Sequence, residues 1–219
     1  MSPTKHPGRL RRRPAREDRS AIAAQPRPAT GSSSANSGRR SEAARLAVLN
    51  AADDLLVEHG FEGLTIEGIA AAAGVAKQTI YRWWKSKVDI LFDNLALDSG
   101  PGLAWPDSPA APADLRAYLH RFATFLGEEP AGRVLQALLG HAQLDARTAE
   151  LLHTDFLDPL RARDVAHIRA CLGTSEDEAA VLLDALLAPL YHRALVLRRP
   201  LDRAFVDTLL DQHLGHLAR

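Results

Sequence analysis

Cysteine is nearly absent from this chain: Cys171 stands alone among 219 residues. One thiol excludes an intramolecular disulfide and fits a reducing compartment, the cytoplasm. No stretch of about 18 consecutive apolar residues occurs, so no membrane span is expected. The N-terminal region carries arginines but lacks the apolar segment of a secretory signal. Apolar–polar alternation with a period of two is missing, which argues against strands, and no internal repeat is found. There is no Gly-rich phosphate loop and no nucleophile elbow, so an enzyme is not expected, nor is a cofactor. The histidines beyond residue 100 never fall into a His-x-x-x-His or Cys-x-x-Cys spacing, and no metal is expected either.

A net charge of either sign is also missing, since 27 Lys/Arg balance 27 Asp/Glu. The balance is uneven along the chain. Residues 1–40 hold ten basic and two acidic side chains, whereas 41–99 hold five and nine, and 100–219 hold twelve and sixteen. A folded part that is mildly acidic has no bulk field for nucleic acid, so any contact with DNA must come from placed lysines and helix termini.

What is present is helical patterning. The 46 % of hydrophobic residues suffice for one large domain or two small ones. Residues 1–40, with five prolines and a Gly31-Ser32-Ser33-Ser34 run, read as a disordered arm. Its Arg9–Arg13 cluster suits either phosphate contact or plain solvation. Periodicity begins after Ser41, read as an N-cap, with Leu46, Leu49, Ala52 and Leu56 on one face up to Gly60. Thr65 is expected to cap a second helix that Gly74 closes. A third helix runs from about Ala76 to Trp84. A fourth, from Ser86, has Val88, Leu91, Phe92 and Leu95 as its apolar face and ends before Ser99. The proline-rich stretch 100–112 reads as a loop and domain boundary. Helices follow at roughly 113–127, 130–144, 146–172, 175–198 and 202–217, with a capping box at Ser175 and Glu178 and a kink at Pro189.

The stretch Leu64–Lys87 carries the chemistry. It reads as two helices joined by a tight turn centred on Gly74, with Ala70 and Ala73 small where the helices meet, and Ile69, Val75 and Ile80 as their shared core. Such a hairpin places its second helix in the major groove of DNA. Lys77, Gln78, Thr79 and Arg82 face outward. Lys77 and Gln78, in the first turn, suit base edges: lysine donates to guanine, and glutamine pairs with adenine. Thr79, Tyr81 and Lys87 suit phosphates, as does Thr65 at a helix N-terminus. An alanine-rich hairpin also occurs in helical bundles that bind nothing, and spacing alone leaves that alternative open.

The Ile69-Ala70 pair, the Gly74-Val75 turn and the run Thr79-Ile80-Tyr81-Arg82-Trp83-Trp84-Lys85-Ser86-Lys87 resemble the signature of TetR-type transcriptional regulators over about residues 43–92. Ala76 stands where that family often has a Ser or Thr cap, and Trp84 replaces a commoner Phe. The resemblance implies an all-α protein: a three-helix DNA-binding domain with a linking helix at 41–99, and a helical ligand-binding and dimerisation bundle at 100–219. It further implies a homodimer built from the last two long helices, with Leu182, Leu186, Leu190, Phe205 and Leu209 among the apolar candidates. A two-fold dimer sets two recognition helices about 34 Å apart on a palindromic operator.

Candidate pocket residues are Trp105, Phe122, Phe125, His141, Phe156 and Tyr191, each of which suits a packed core as well as a ligand. The expected function is a repressor released by a small-molecule effector. The alternative is a DNA-binding regulator with no effector, governed by a protein partner or by its own level. Abundant alanine and arginine point to a GC-rich bacterial genome.

Overall fold

The computed structural model describes residues 34–106 and 111–214, and every regular element among them is helical. The Arg9–Arg13 cluster lies outside the described residues. From Arg40 onward the chain gathers into one compact unit.

Helix α1 (Ser34–Gly63) starts earlier than its apolar periodicity, so Ser41 lies inside it and does not cap it. Ala35, Arg39, Arg40, Ala43 and Ala44 are strong helix formers, and no proline interrupts them. Val48, Leu49, Ala52 and Leu56 form the buried stripe. Gly60 breaks the helix with φ 70° and ψ −179°, and the Leu64 amide donates back to its carbonyl at 3.1 Å.

Helices α2 (Ile66–Ala73) and α3 (Lys77–Trp83) form the hairpin, and α4 (Lys87–Gly102) follows. The α4 helix continues past the expected stop at Ser99. Ser99 is buried and its carbonyl accepts from the Leu103 amide at 3.0 Å, so the last turn is held by packing. A buried clasp ties α4 to α1: Asn94 Nδ2 donates to Asp53 Oδ1 at 2.6 Å and to the Leu49 carbonyl at 2.9 Å.

Helices α5 (Pro112–Glu128) and α6 (Pro130–Ala142) turn back on each other at Glu129. Gly132 permits their contact: a Cβ there would lie 1.8 Å from the Phe125 carbonyl oxygen. The Gln136 side chain donates to the Leu126 carbonyl at 2.6 Å across the same seam. The helix expected at 146–172 is one path with a wide π turn (His153–Leu157) between α7 (Ala146–Leu152) and α8 (Asp158–Leu172). Helix α9 (Glu176–Tyr191) begins at a capping box in which the Ser175 amide donates to Glu178 at 2.9 Å. Pro189 sits inside α9, and the helix widens into a second π turn (His192–Val196) beyond it. Proline removes one intrahelical donor, and a π turn is one way for the backbone to absorb that loss. Helix α10 (Arg203–Leu214) closes the bundle.

Tyr118, Phe122 and Phe125 of α5 are fully buried and form the centre of the bundle with Leu135, Leu138, Leu186, Leu190 and Leu210. Polar links fasten α10 to α5: Arg116 donates to Asp207 at 2.8 Å and to Asp211 at 2.6 Å. The segment Glu176–Val196 is long and apolar enough to cross a membrane by length and composition alone, a test that core helices also pass, and it holds no run of about 18 consecutive apolar residues. Glu176, Asp177, Glu178, Asp184 and Arg193 interrupt its run, and Leu183, Leu186 and Leu190 are spent in the core.

Candidate DNA interface and effector clefts

Helix α2 is short, and local bonds define its ends. The Thr65 hydroxyl accepts from the Gly68 amide at 3.1 Å. Gly74 adopts φ 66° and ψ 30°, the left-handed region that glycine enters freely, and its amide returns to Ala70 and Ala71 carbonyls. Ala76 precedes α3 in an extended conformation with no side-chain cap. Ile69 and Ile80 are fully buried between the two helices, and Val75 is half-buried. The hairpin angle is therefore held by a dry apolar contact.

The opposite side of α3 is open. Lys77, Gln78, Tyr81 and Arg82 are exposed, while Thr79 is half-buried. Tyr81 leaves 52 % of its surface uncovered. Arg82 lies over the Trp83 ring at 5.2 Å, which restrains its guanidinium. Lys77 pairs with Glu67 of α2 at 2.9 Å. That hydrogen bond holds the Glu67 carboxyl below its ordinary value and lifts the Lys77 ammonium above its own. Lys85, just past α3, is exposed as well, and the sequence reading overlooked it.

Lys87 departs from expectation. Its ammonium donates to the Phe61 carbonyl at 2.6 Å and lies 4.2 Å from the centre of the Phe61 ring. It fastens α4 to the last turn of α1, beyond Gly60, and does not point freely at a phosphate. The start of α4 is capped by Ser86 and Asp89, each side chain bonding the other's backbone amide.

Trp84 is a buried anchor whose Nε1 donates to Asp93 at 2.8 Å, and Arg45 of α1 donates to the same oxygen at 2.9 Å. Two further contacts join this region to the bundle. Arg147 of α7 reaches Asp89 at 3.3 Å, and the His141 ring of α6 packs at a tilt against Phe61 with ring centres 4.4 Å apart.

The expected pocket residues do not converge on one cavity. Phe122 and Phe125 are fully buried packing. Trp105 stacks on Tyr118 and His167 and donates to the buried Asp164 at 2.9 Å. Tyr118 donates to the other Asp164 oxygen at 2.5 Å, and burial with that carboxylate pushes the Tyr118 phenol far up. His141 packs against the Phe61 ring. Tyr191 and Phe156 border clefts. Tyr191 lines a cleft of about 360 Å³ between α8 and α9 with Leu157, Leu160, Leu183 and Leu187. Phe156 lines another, of about 380 Å³, beside α3 and α4. In sequence these aromatics share helical spacing, which does not say which ring the core consumes.

The expected dimer residues also divide. Leu186 and Leu190 are fully buried and Leu209 is 6 % exposed, so they serve the chain's own core. Leu182 and Phe205 are half-buried. The uncovered apolar residues of this region are Val181, at 69 % exposure, and Leu195, Val196 and Leu197 of the π turn and its end. Periodicity gives the apolar stripe of α9 but not the edge at which the core ends.

Residues 48–93 match the model of bacterial regulatory proteins of the tetR family, and residues 105–213 match that of the tetracyclin repressor-like C-terminal domain. The uncharacterized HTH-type transcriptional regulator YdeS of Bacillus subtilis is 30 % identical over 78 % of this chain and 88 % of its own. The crystal structure of the TetR family transcription regulator SCO0332 is 35 % identical, with a TM-score of 0.61 over 78 % of this chain and 97 % of that one. SmeT, described as the repressor of a Stenotrophomonas maltophilia multidrug efflux pump, shares the fold at 21 % identity in its complex with triclosan, with a TM-score of 0.60 over 80 % of this chain and 91 % of that one. The capped hairpin, its uncovered helix and these matches across both halves show that the chain belongs to the TetR family of helix-turn-helix, DNA-binding transcriptional regulators.

Proposed function

We propose that this regulator is a cytoplasmic homodimeric repressor that binds a palindromic operator and is released by a small-molecule effector. The observation that carries the reading is the uncovered face of α3, where Lys77, Gln78, Tyr81 and Arg82 stand on a helix whose other side is locked by Ile69 and Ile80. Gln78 and Lys77 would read base edges. Tyr81, Arg82, Thr79 and Thr65 would meet phosphates. The division of labour follows residues 41–99 for DNA and 100–219 for dimerisation and ligand. Val181 and Val196 support a dimer through α9, because one recognition helix binds DNA weakly and an apolar face of that exposure calls for a cover.

The effector reading is supported by the clefts beside Tyr191 and Phe156 and by analogy with the SmeT–triclosan complex. An effector acts through its differential affinity for two conformations. Helix α4, clasped to α1 by Asn94 and to α7 by Asp89 and Arg147, would carry the change to α3.

Footprinting of the purified protein on DNA flanking its own gene, at about 150 mM salt, tests the reading. A two-fold symmetric protected site is expected. Selection from random DNA that yields no preferred sequence would overturn it. A chemical library that never raises the melting temperature would remove the effector and leave a regulator set by a partner or by its own level.

A further inference from the structure

The cleft beside α3 has a chemistry of its own. It holds about 380 Å³ between the end of α3, one side of α4 and the π turn after α7. Four aromatic side chains border it: Trp83, Trp84, Phe92 and Phe156. Three carboxylates border it as well, those of Asp89, Asp93 and Asp155, and no lysine, arginine or histidine is among its lining residues. Arg147 reaches Asp89 and Arg45 reaches Asp93 from outside the lining. Asp155 accepts only from the neighbouring Thr154 hydroxyl, at 3.0 Å, and forms no ion pair among the described residues. The cleft therefore carries one carboxylate that no cation among the described residues pairs with, set among aromatic side chains.

We infer that this cleft is a binding site for an organic monocation with an apolar body, such as an aryl or alkyl quaternary ammonium. Aromatic faces attract a cation through their quadrupoles, and a carboxylate supplies the counter-charge. An anion would meet the unpaired Asp155 carboxylate and find no lysine, arginine or histidine in the lining to hold it. A neutral guest would displace water from them without replacing its hydrogen bonds. The volume is that of a small-molecule site. Its walls belong both to the recognition-helix hairpin, through Trp83 and Trp84, and to the bundle, through Phe156 and Asp155. A bound cation thus bridges the two and biases the set of α3. This deepens the effector reading above by naming the ligand class, and only the effect on DNA rests on that reading.

The test is a titration of the full chain with benzyltrimethylammonium, followed by tryptophan fluorescence, with benzyl alcohol and benzenesulfonate as neutral and anionic controls. The chain has three tryptophans, two of them in this cleft and the third, Trp105, buried elsewhere. A saturable change with the cation alone is expected, unaltered in amplitude in Trp105→Phe and reduced in Trp83→Phe, where Trp84 remains in the cleft. Asp155→Asn, at an exposed position, should weaken the cation about tenfold, as should Phe156→Ala. The absence of a saturable response, equal binding of benzenesulfonate, or unchanged affinity in both Asp155→Asn and Phe156→Ala would overturn the inference. The titration contains no DNA, so it stands or falls apart from operator binding, which a parallel DNA-binding assay reads.

Discussion

Helix α3 and helix α9 each turn one side to the core and leave the other uncovered. On α3 the uncovered side is polar: Lys77, Gln78, Tyr81 and Arg82. On α9 and the π turn that continues it, the uncovered side includes Val181, Leu195 and Val196. A polar side is at ease in water and becomes a site by what it can recognise. An apolar side gains by being covered, at roughly 25 cal/mol per Å² of apolar area removed from water. The first kind of surface thus selects a partner through hydrogen bonds and charge, and the second through shape.

Substitutions sharpen this comparison. The largest effect is expected from Gly132→Leu, which drives a side chain into the Phe125 carbonyl of the α5–α6 seam. It should abolish the cooperative unfolding transition of the bundle. Retention of a wild-type melting temperature would mean that the seam is looser than its geometry says. Next, Val181→Glu with Val196→Glu should convert a dimer to monomers in light scattering and weaken operator binding, while leaving the helix content unchanged. A persisting dimer would move the interface off this face.

Asp164→Ala leaves the buried Trp105 and Tyr118 donors unpaired and should lower stability by about 3 kcal/mol in chemical denaturation, with no change in base preference. Gln78→Ala is the mirror case. It should leave stability unaltered and reduce affinity for the cognate site by about 1–3 kcal/mol, less for random DNA. Equal losses on both DNAs would deny Gln78 a base-reading role.

The smallest effects concern exposed charge. Glu67→Gln releases Lys77 and removes a negative charge from the α2–α3 face, so DNA affinity should rise about threefold at low salt and less at high salt. At the α5–α10 contact, His120 beside Asp207 is the main cause that holds the Asp207 carboxyl below its ordinary 3.8. A depressed folded value means that its contribution is full above that ordinary value and is lost as pH falls through the folded one. Asp207→Asn should therefore lower stability slightly at pH 7 and converge on the wild type as pH falls below about 4, leaving a shallower acid limb.

The hairpin was legible because its determinants are local. Thr65, Gly74 and the Ile69–Ile80 contact lie within 16 residues, and each acts on its near neighbours. The capping box at Ser175 and the breaks at Glu129, Gly173 and Arg199 were legible for the same reason. Other features were not. Asp53 with Asn94 and Trp105 with Asp164 join residues 41 and 59 apart, and Lys87 finds Phe61 at a distance of 26. No periodicity encodes such meetings.

The sequence by itself determined the helices, the turn that makes a recognition hairpin and the polar residues along α3, because caps, glycines and the 3.6-residue period act over one or two turns. Tertiary structure decided which apolar residues became core and which stayed uncovered. It buried Phe122, Phe125, Leu186 and Leu190, left Val181 and Val196 outside, and opened a cleft beside Trp83 and Phe156. The reason is physical. Hydrophobicity is non-directional, so an apolar residue carries no record of its neighbour until close packing assigns one.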